Sequence, residues 1–301
     1  MKCIAADKQA EVRFASSRPV PYISTMQTAP TLTDTTALMR NRRRAARAPS
    51  HFMMQRVADD LEERLIEVNR SFKSVAVVTG FADFWRERFP HAHIVADESV
   101  LELESGAHDL VIHALALHWA NDPVGQLVQC RTALRPDGML ICPLLGGQTL
   151  YELRIALAQA EAAQTGGLSP RVAPMGELRD LGALLQRAGL ALPVADSQTL
   201  KVSYPDPLAL MRDLRGMGEG NALAERLRRP TTRSVMTQAV ALYQALFAMP
   251  DGRIPATFEV ITLTGWSPSA TQQQPLRPGS ATHRLAEALS GIESPLAPES
   301  D

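Results

Sequence analysis

The chain is short of most features that announce a function at once. It has three cysteines in 301 residues, Cys3, Cys130 and Cys142, and none stands in CxxC spacing. A disulfide framework and a thiolate zinc site are therefore unexpected, and a reducing compartment fits. No cluster of metal-ligating residues stands out either, so no metal is expected. Charge of one sign is not in excess: 31 Lys and Arg against 32 Asp and Glu leave a net charge of −1, which removes the global case for nucleic-acid binding. The longest apolar runs, VAVV and MLICPLL, fall far short of the ~20 residues of a membrane-spanning helix. Glycine is scarce where it would matter most. The stretch SVAVVTGFADFW (74–85) reads as a buried strand, a turn at Gly80 and a helix, which is how many nucleotide-binding α/β domains begin. Such a turn should carry two or three glycines to let the backbone approach a cofactor, yet the next glycine is Gly106.

What is present is an alternation of strands and helices. Residues 51–69 place Phe52, Met53, Val57, Leu61, Leu65 and Val68 at helical spacing. A strand at SVAVVTG, a helix at FADFWRERF, a strand at HIVAD and a nearly continuous apolar strand, HDLVIHALAL, follow. PVGQLVQCRTAL is a helix opened by Pro123, RPDG a turn and MLICPLL a fourth strand. Such alternation predicts right-handed βαβ units in an α/β, doubly wound, mostly parallel sheet. Helices at TLYELRIALAQAEAAQ and MGELRDLGALLQRAG follow. Two late strands, QTLKVSY and ATFEVITLTGW, enclose helices at PLALMRDLRGMG and SVMTQAVALYQALF, which predicts helical insertions and an antiparallel edge.

The ends read differently. Residues 1–37 lack periodicity and predict a disordered or mis-annotated extension, with Met26 as an alternative start. Residues 38–70 read as basic and amphipathic helices, 71–268 as the main domain and 269–301 as a flexible tail. Arg40, Arg42, Arg43, Arg44 and Arg47 fall within eight residues. They read first as a solvated helix face. The other reading is contact with an anionic partner or lipid headgroups, at most a peripheral membrane contact.

The run HDLVIHALALHWANDPVGQLVQCRTALRPDGMLICPLLGGQTLYELR (108–154) resembles class I S-adenosylmethionine-dependent methyltransferases. LHWANDP and GGQTLYELR resemble in particular the branch that holds the malonyl-carrier-protein methyltransferases and the mitochondrial complex I assembly factor. The likeness to the assembly-factor side continues through GGLSPRVAPMGELRDLGALLQRAG, MRDLRGMGEGNAL and DGRIPATFEVITLTGW. The resemblance implies a methyltransferase-like fold, S-adenosylmethionine as cofactor and a cofactor site at Gly80, Asp97, Ala114 and Trp119. It implies either methyl transfer to a protein or acyl-carrier substrate, or a non-methylating assembly factor, chaperone or hydroxylase, for a respiratory-complex subunit. A cytoplasmic location, at most peripheral to the inner membrane, goes with both.

Against that pattern the front half of the chain is short. Asp97 lies twelve residues before Asp109, the spacing the resemblance gives an adenine-side aspartate. One βα unit between Gly80 and His93 is then missing; in the other alignment Asp97 is the ribose acid and the next unit is missing. The remaining candidates each have a plainer reading. Asp97 contacts a ligand or caps a turn. His118 is a general base and Trp119 a stacking platform, or the two are a packing pair. His113 is a core residue, and Asn121-Asp122-Pro123 a helix cap. Gly146 and Gly147 allow close approach to a substrate or form a bland turn. Tyr151 and Arg154 start a helix whose amides could face an anion, with Arg154 otherwise pairing Glu152. Arg212, Arg215 and Glu219 line a substrate mouth or a solvated face.

Overall fold

The structure, a computed structural model, describes residues 31–272; the expectations for residues 1–30 and 273–301 lie outside it. Strands β1 (Val75–Thr79), β2 (His93–Ala96), β3 (His108–His113), β4 (Leu134–Gly146), β5 (Ala191–Tyr204) and β6 (Ile254–Trp266) form one six-stranded sheet. Its order is β2-β1-β3-β4-β6-β5. The β2–β1, β1–β3 and β3–β4 pairs are parallel, whereas β6 runs antiparallel to both β4 and β5. The mostly parallel sheet with an antiparallel edge is the one the alternation predicts. Among the described residues no strand lies beyond β2, which agrees with the loss of one βα unit.

Period-2 alternation along the central strands divides the core. Val77, Ile112 and Ile141 face one side and meet α2 (Phe52–Glu67), α3 (Ala82–Arg88), α5 (Tyr151–Thr165), α7 (Pro207–Gly216) and α8 (Arg233–Phe247). Ala76, Val78, Val111, Leu140 and Cys142 face the other and meet α4 (Pro123–Ala133) and α6 (Leu178–Arg187). Trp85 of α3 is completely buried between Phe84 and Phe89. Arg88 ties α3 to Asp59 and Glu62 of α2.

Three local expectations are corrected. The strand expected over 108–117 stops at His113, because Leu115 takes a left-handed φ of 49° and the chain enters a 3-10 turn at Leu117–Trp119. RPDG is no separate turn: it lies inside β4, where the register against β3 jumps and Asp137 has φ of 64°. Residues 31–37, assigned to the extension, are held in place. Asp34 caps α1 (Thr35–Ala45) through Ala37 N–H, and Thr33 bridges to Leu223.

Candidate functional site

In open parallel sheets, ligands bind beyond the carboxyl ends of the strands. Here β1 ends at Thr79–Gly80, β2 runs into Asp97, and β3 runs into Ala114 and Leu115. β2 pairs directly with β1, so Asp97 stands where a ribose acid would. Its carboxylate is already taken. Arg42 of α1 donates from Nη1 to Oδ1 at 2.6 Å and from Nη2 to Oδ2 at 2.8 Å, with only 12% and 8% of the two side chains exposed. The guanidinium also lies 5.8 Å from the Phe81 ring centre, a cation–π distance. A Cβ on Gly80 would collide with that guanidinium. The lone glycine of the loop therefore makes room for the chain's own arginine. Beside it, a cavity of about 20 Å³ touches Phe81, Ala114 and Leu115.

S-adenosylmethionine does not fit this arrangement. The carboxylate that would hold its ribose is paired with Arg42 at both oxygens, the loop approach is filled by Arg42 and Phe81, and the remaining space of about 20 Å³ has room for about one water. Arg40, Arg43 and Arg44 of α1 and Arg47 just beyond it are exposed, as read from the sequence; Arg42 turns inward. A signal for this existed. Leu38, Arg42 and Ala45 share one helical face, and Leu38 and Ala45 are buried.

A second, larger cavity of about 280 Å³ lies next to the first. Leu145 and Glu219 line both. The Glu219 carboxylate accepts from Trp119 Nε1 at 2.9 Å and meets His118 Nε2 at 3.3 Å. Burial alone would push its pKa up. His118, the Trp119 hydrogen bond and the Arg42 charge outweigh burial and hold it below the usual carboxylate range. Trp119 faces the larger cavity; His118 lines neither, and its Nδ1 is buried without a partner. As placed, His118 faces Glu219 and reaches neither cavity.

The glycines after β4 do not line the cavity. A Cβ on Gly146 would run into Ile261, and one on Gly147, whose φ is 49°, into the Glu259 carboxylate. Their close approach is to their own chain. Tyr151 packs edge-on against Phe247. Arg154 reaches Thr149 O at 3.4 Å, and Glu152 is held by Thr257 instead. The amides expected to face an anion are spent: Thr149 N–H donates to Gly146 O, Leu150 N–H to Thr257 O and Tyr151 N–H to Gln148 O. From this helix start it is Leu150 and Leu153 that reach the cavity.

Other candidates split as read. Asp122 caps α4 through Gly125 N–H at 2.8 Å, and His113 is buried on Gln126 Oε1 at 2.7 Å. Asn121 does something the sequence did not suggest. Its amide clamps residues 32 and 33, accepting from both N–H groups and donating to Thr33 O. Arg215 and Glu219 line the cavity; Arg212 lines the open groove beyond it. Asn41, passed over in the sequence, and Arg44 of the basic cluster are also in the wall. Burial pushes the Cys130 thiol up to about 12 and Cys142 well above its usual value, so neither is poised as a nucleophile. Among the described residues no three His, Cys, Asp or Glu side chains gather as a metal site.

The mostly parallel sheet, with β6 inserted antiparallel between β4 and β5, makes this a doubly wound α/β protein whose candidate site lies at the strands' carboxyl ends. The family description "Methyltransferase domain" matches residues 48–142. The chain is 36% identical over 231 residues to the mitochondrial arginine-hydroxylase NDUFAF5 of Danio rerio, covering 77% of this chain and 71% of that one. It is 40% identical over 198 residues to the Mus musculus protein of the same name, of which it spans 57%. It is also 38% identical over 188 residues to the malonyl-[acyl-carrier protein] O-methyltransferase of Laribacter hongkongensis, covering 62% of this chain and 61% of that one. Among solved structures, the YcgJ protein of Bacillus subtilis superposes with a TM-score of 0.42 at 11% identity, over 66% of this chain and 94% of that one. The chain belongs to the class I S-adenosylmethionine-dependent methyltransferase superfamily, in the branch that holds these arginine-hydroxylases and carrier-protein methyltransferases. With most of these relatives it shares between about half and three-fifths of their length.

Proposed function

We propose that this chain is a non-methylating member of its superfamily that acts by binding a protein partner, an assembly factor for a respiratory-complex subunit. The observation that carries the reading is the Arg42–Asp97 pair: the acid after β2, the one proposed to hold a donor's ribose, is paired with Arg42 at both oxygens. A working transferase needs that acid free, whereas a protein that binds a partner does not. The larger cavity and the surfaces around it stay available for recognition. Similarity over three-quarters of the chain to a protein named arginine-hydroxylase supports the non-methylating side. A cytoplasmic location, peripheral to the inner membrane through the exposed arginines of α1, belongs to the same proposal.

A second reading, donor-dependent methylation of a protein or acyl-carrier substrate, has its own support in the 38% identity to the carrier-protein methyltransferase. Calorimetric titration with S-adenosylmethionine and S-adenosylhomocysteine separates the two. We expect no heat of binding at millimolar ligand. Micromolar binding would overturn the non-methylating reading and turn the search to methyl acceptors.

A further inference from the structure

We propose that the cavity of about 280 Å³ is a binding site for an anionic amphiphile, with an aliphatic body inside and a carboxylate or phosphate at the rim. Its volume is at the small end for ligand pockets, which run from ~300 to ~1,000 Å³. Its wall is mixed, and its apolar part is built on Trp119, Leu145, Leu150, Leu153 and Leu214. They come from the 3-10 turn after β3, the end of β4, the start of α5 and from α7, so the cavity is a product of the fold.

The charges are what single out the ligand. Three arginines, Arg44, Arg171 and Arg215, reach the cavity. Arg171 is neutralised by Glu161, at 2.7 and 2.9 Å. Arg44 and Arg215 have no carboxylate within ion-pair distance among the described residues. Two guanidiniums beside a partly apolar cavity invite an anion with an apolar extension. The one carboxylate in the wall, Glu219, does not cancel them. It is held by Trp119 and His118 at the end where the two cavities meet, and neither Arg44 nor Arg215 lines the smaller one. On the outer side, Met211 and Arg215 are shared with an open groove that also carries Leu208 and Arg212. A ligand longer than the cavity can continue there. None of this depends on whether the donor site is closed.

The test uses the full chain and four probes in calorimetric titration. Sodium octanoate and octyl phosphate carry both features; octanol carries only the apolar body, and inorganic phosphate only the charge. We expect the two amphiphilic anions to bind at one site per chain and the controls at least tenfold more weakly. Whichever anion binds more tightly tells a fatty carboxylate from a phosphate ester as the natural source. Arg44 and Arg215 are both exposed, so Arg44→Gln with Arg215→Gln should fold normally by circular dichroism. That double variant should weaken the anions by about tenfold per arginine, a loss of ~1.4 kcal/mol each, and leave octanol unchanged. Equal binding of octanol, equal binding of inorganic phosphate, an unaffected double variant or no binding by either anion would each overturn the proposal. S-adenosylmethionine is titrated separately, so a failure here and a failure of the non-methylating reading are told apart.

Discussion

Glu161 shows how one residue supports a cavity it does not touch. It sits on the buried side of α5, with 6% of its side chain exposed, and accepts from Arg171 and from the Ser169 N–H and hydroxyl. Those bonds fasten residues 169–173, of which Arg171, Val172 and Ala173 form part of the cavity wall. The Arg171 guanidinium, helped by Ser169 and opposed by burial, holds the Glu161 carboxyl down to about 2 against an ordinary 4.5. The folded value lies below the unfolded one, so the stability from this pair is complete above about 4.5 and drains away as pH falls toward 2. Urea midpoints measured from pH 6 to 2.5 should fall across that window, and Glu161→Gln should flatten the fall. Arg171→Ala leaves a buried carboxylate without its partner and should cost about 3–5 kcal/mol at neutral pH.

At the scale of elements, α1 has too weak an apolar face to dock by burial alone. Its buried residues are Ala37, Leu38 and Ala45, so polar contacts set its position: Asn121 on residues 32 and 33, Asn41 on Gly220 O, and Arg42 on Asp97. Asn121→Ala removes three hydrogen bonds at once and should cost about 1–3 kcal/mol of local docking. Tryptic cleavage within the Arg40–Arg47 cluster should then speed up on the order of tenfold or more, while the global urea midpoint moves little. An unchanged cleavage rate would show that the Asn41 and Arg42 contacts hold the helix without the Asn121 clamp. The same weakness explains what was legible in the sequence. α2 buries one face, so its period of 3.6 showed plainly, while β1 and the core of β4 are buried on both faces and showed as short apolar runs. The first turn of α5 could be placed but not oriented, because a rotation of one residue decides whether Leu150 and Leu153 or Tyr151 and Arg154 reach the cavity. Arg42 was hidden among like neighbours. Its inward direction depends on sharing a face with Leu38 and Ala45 and on Gly80, nearly forty residues away, lacking a side chain.

Across the whole molecule, the shortened sheet and the docked helix are two parts of one closure. With no strand beyond β2 among the described residues, Asp97 stands at the sheet's edge, where a charged partner must come from elsewhere in the chain; α1 provides it. Two explanations of the closed site then differ in what removing Arg42 does. If α1 is only a lid over a competent site, Arg42→Ala should restore binding of S-adenosylmethionine. If the site itself is gone, the variant should lose stability and gain no ligand. The second outcome is expected, because Phe81 still stands in the loop beside a cavity of about 20 Å³, and truncating Arg42 supplies neither the lost βα unit nor further loop glycines. The cost should be large for a residue on a surface helix, about 3 kcal/mol by urea denaturation, since Asp97 keeps a carboxylate that is 8% exposed and no longer paired. Arg42→Ala with Asp97→Asn, which removes the stranded charge, should recover much of that loss. Micromolar binding of S-adenosylmethionine to the single variant would make α1 a gate over a working donor site and return the chain to the methylating members of its superfamily.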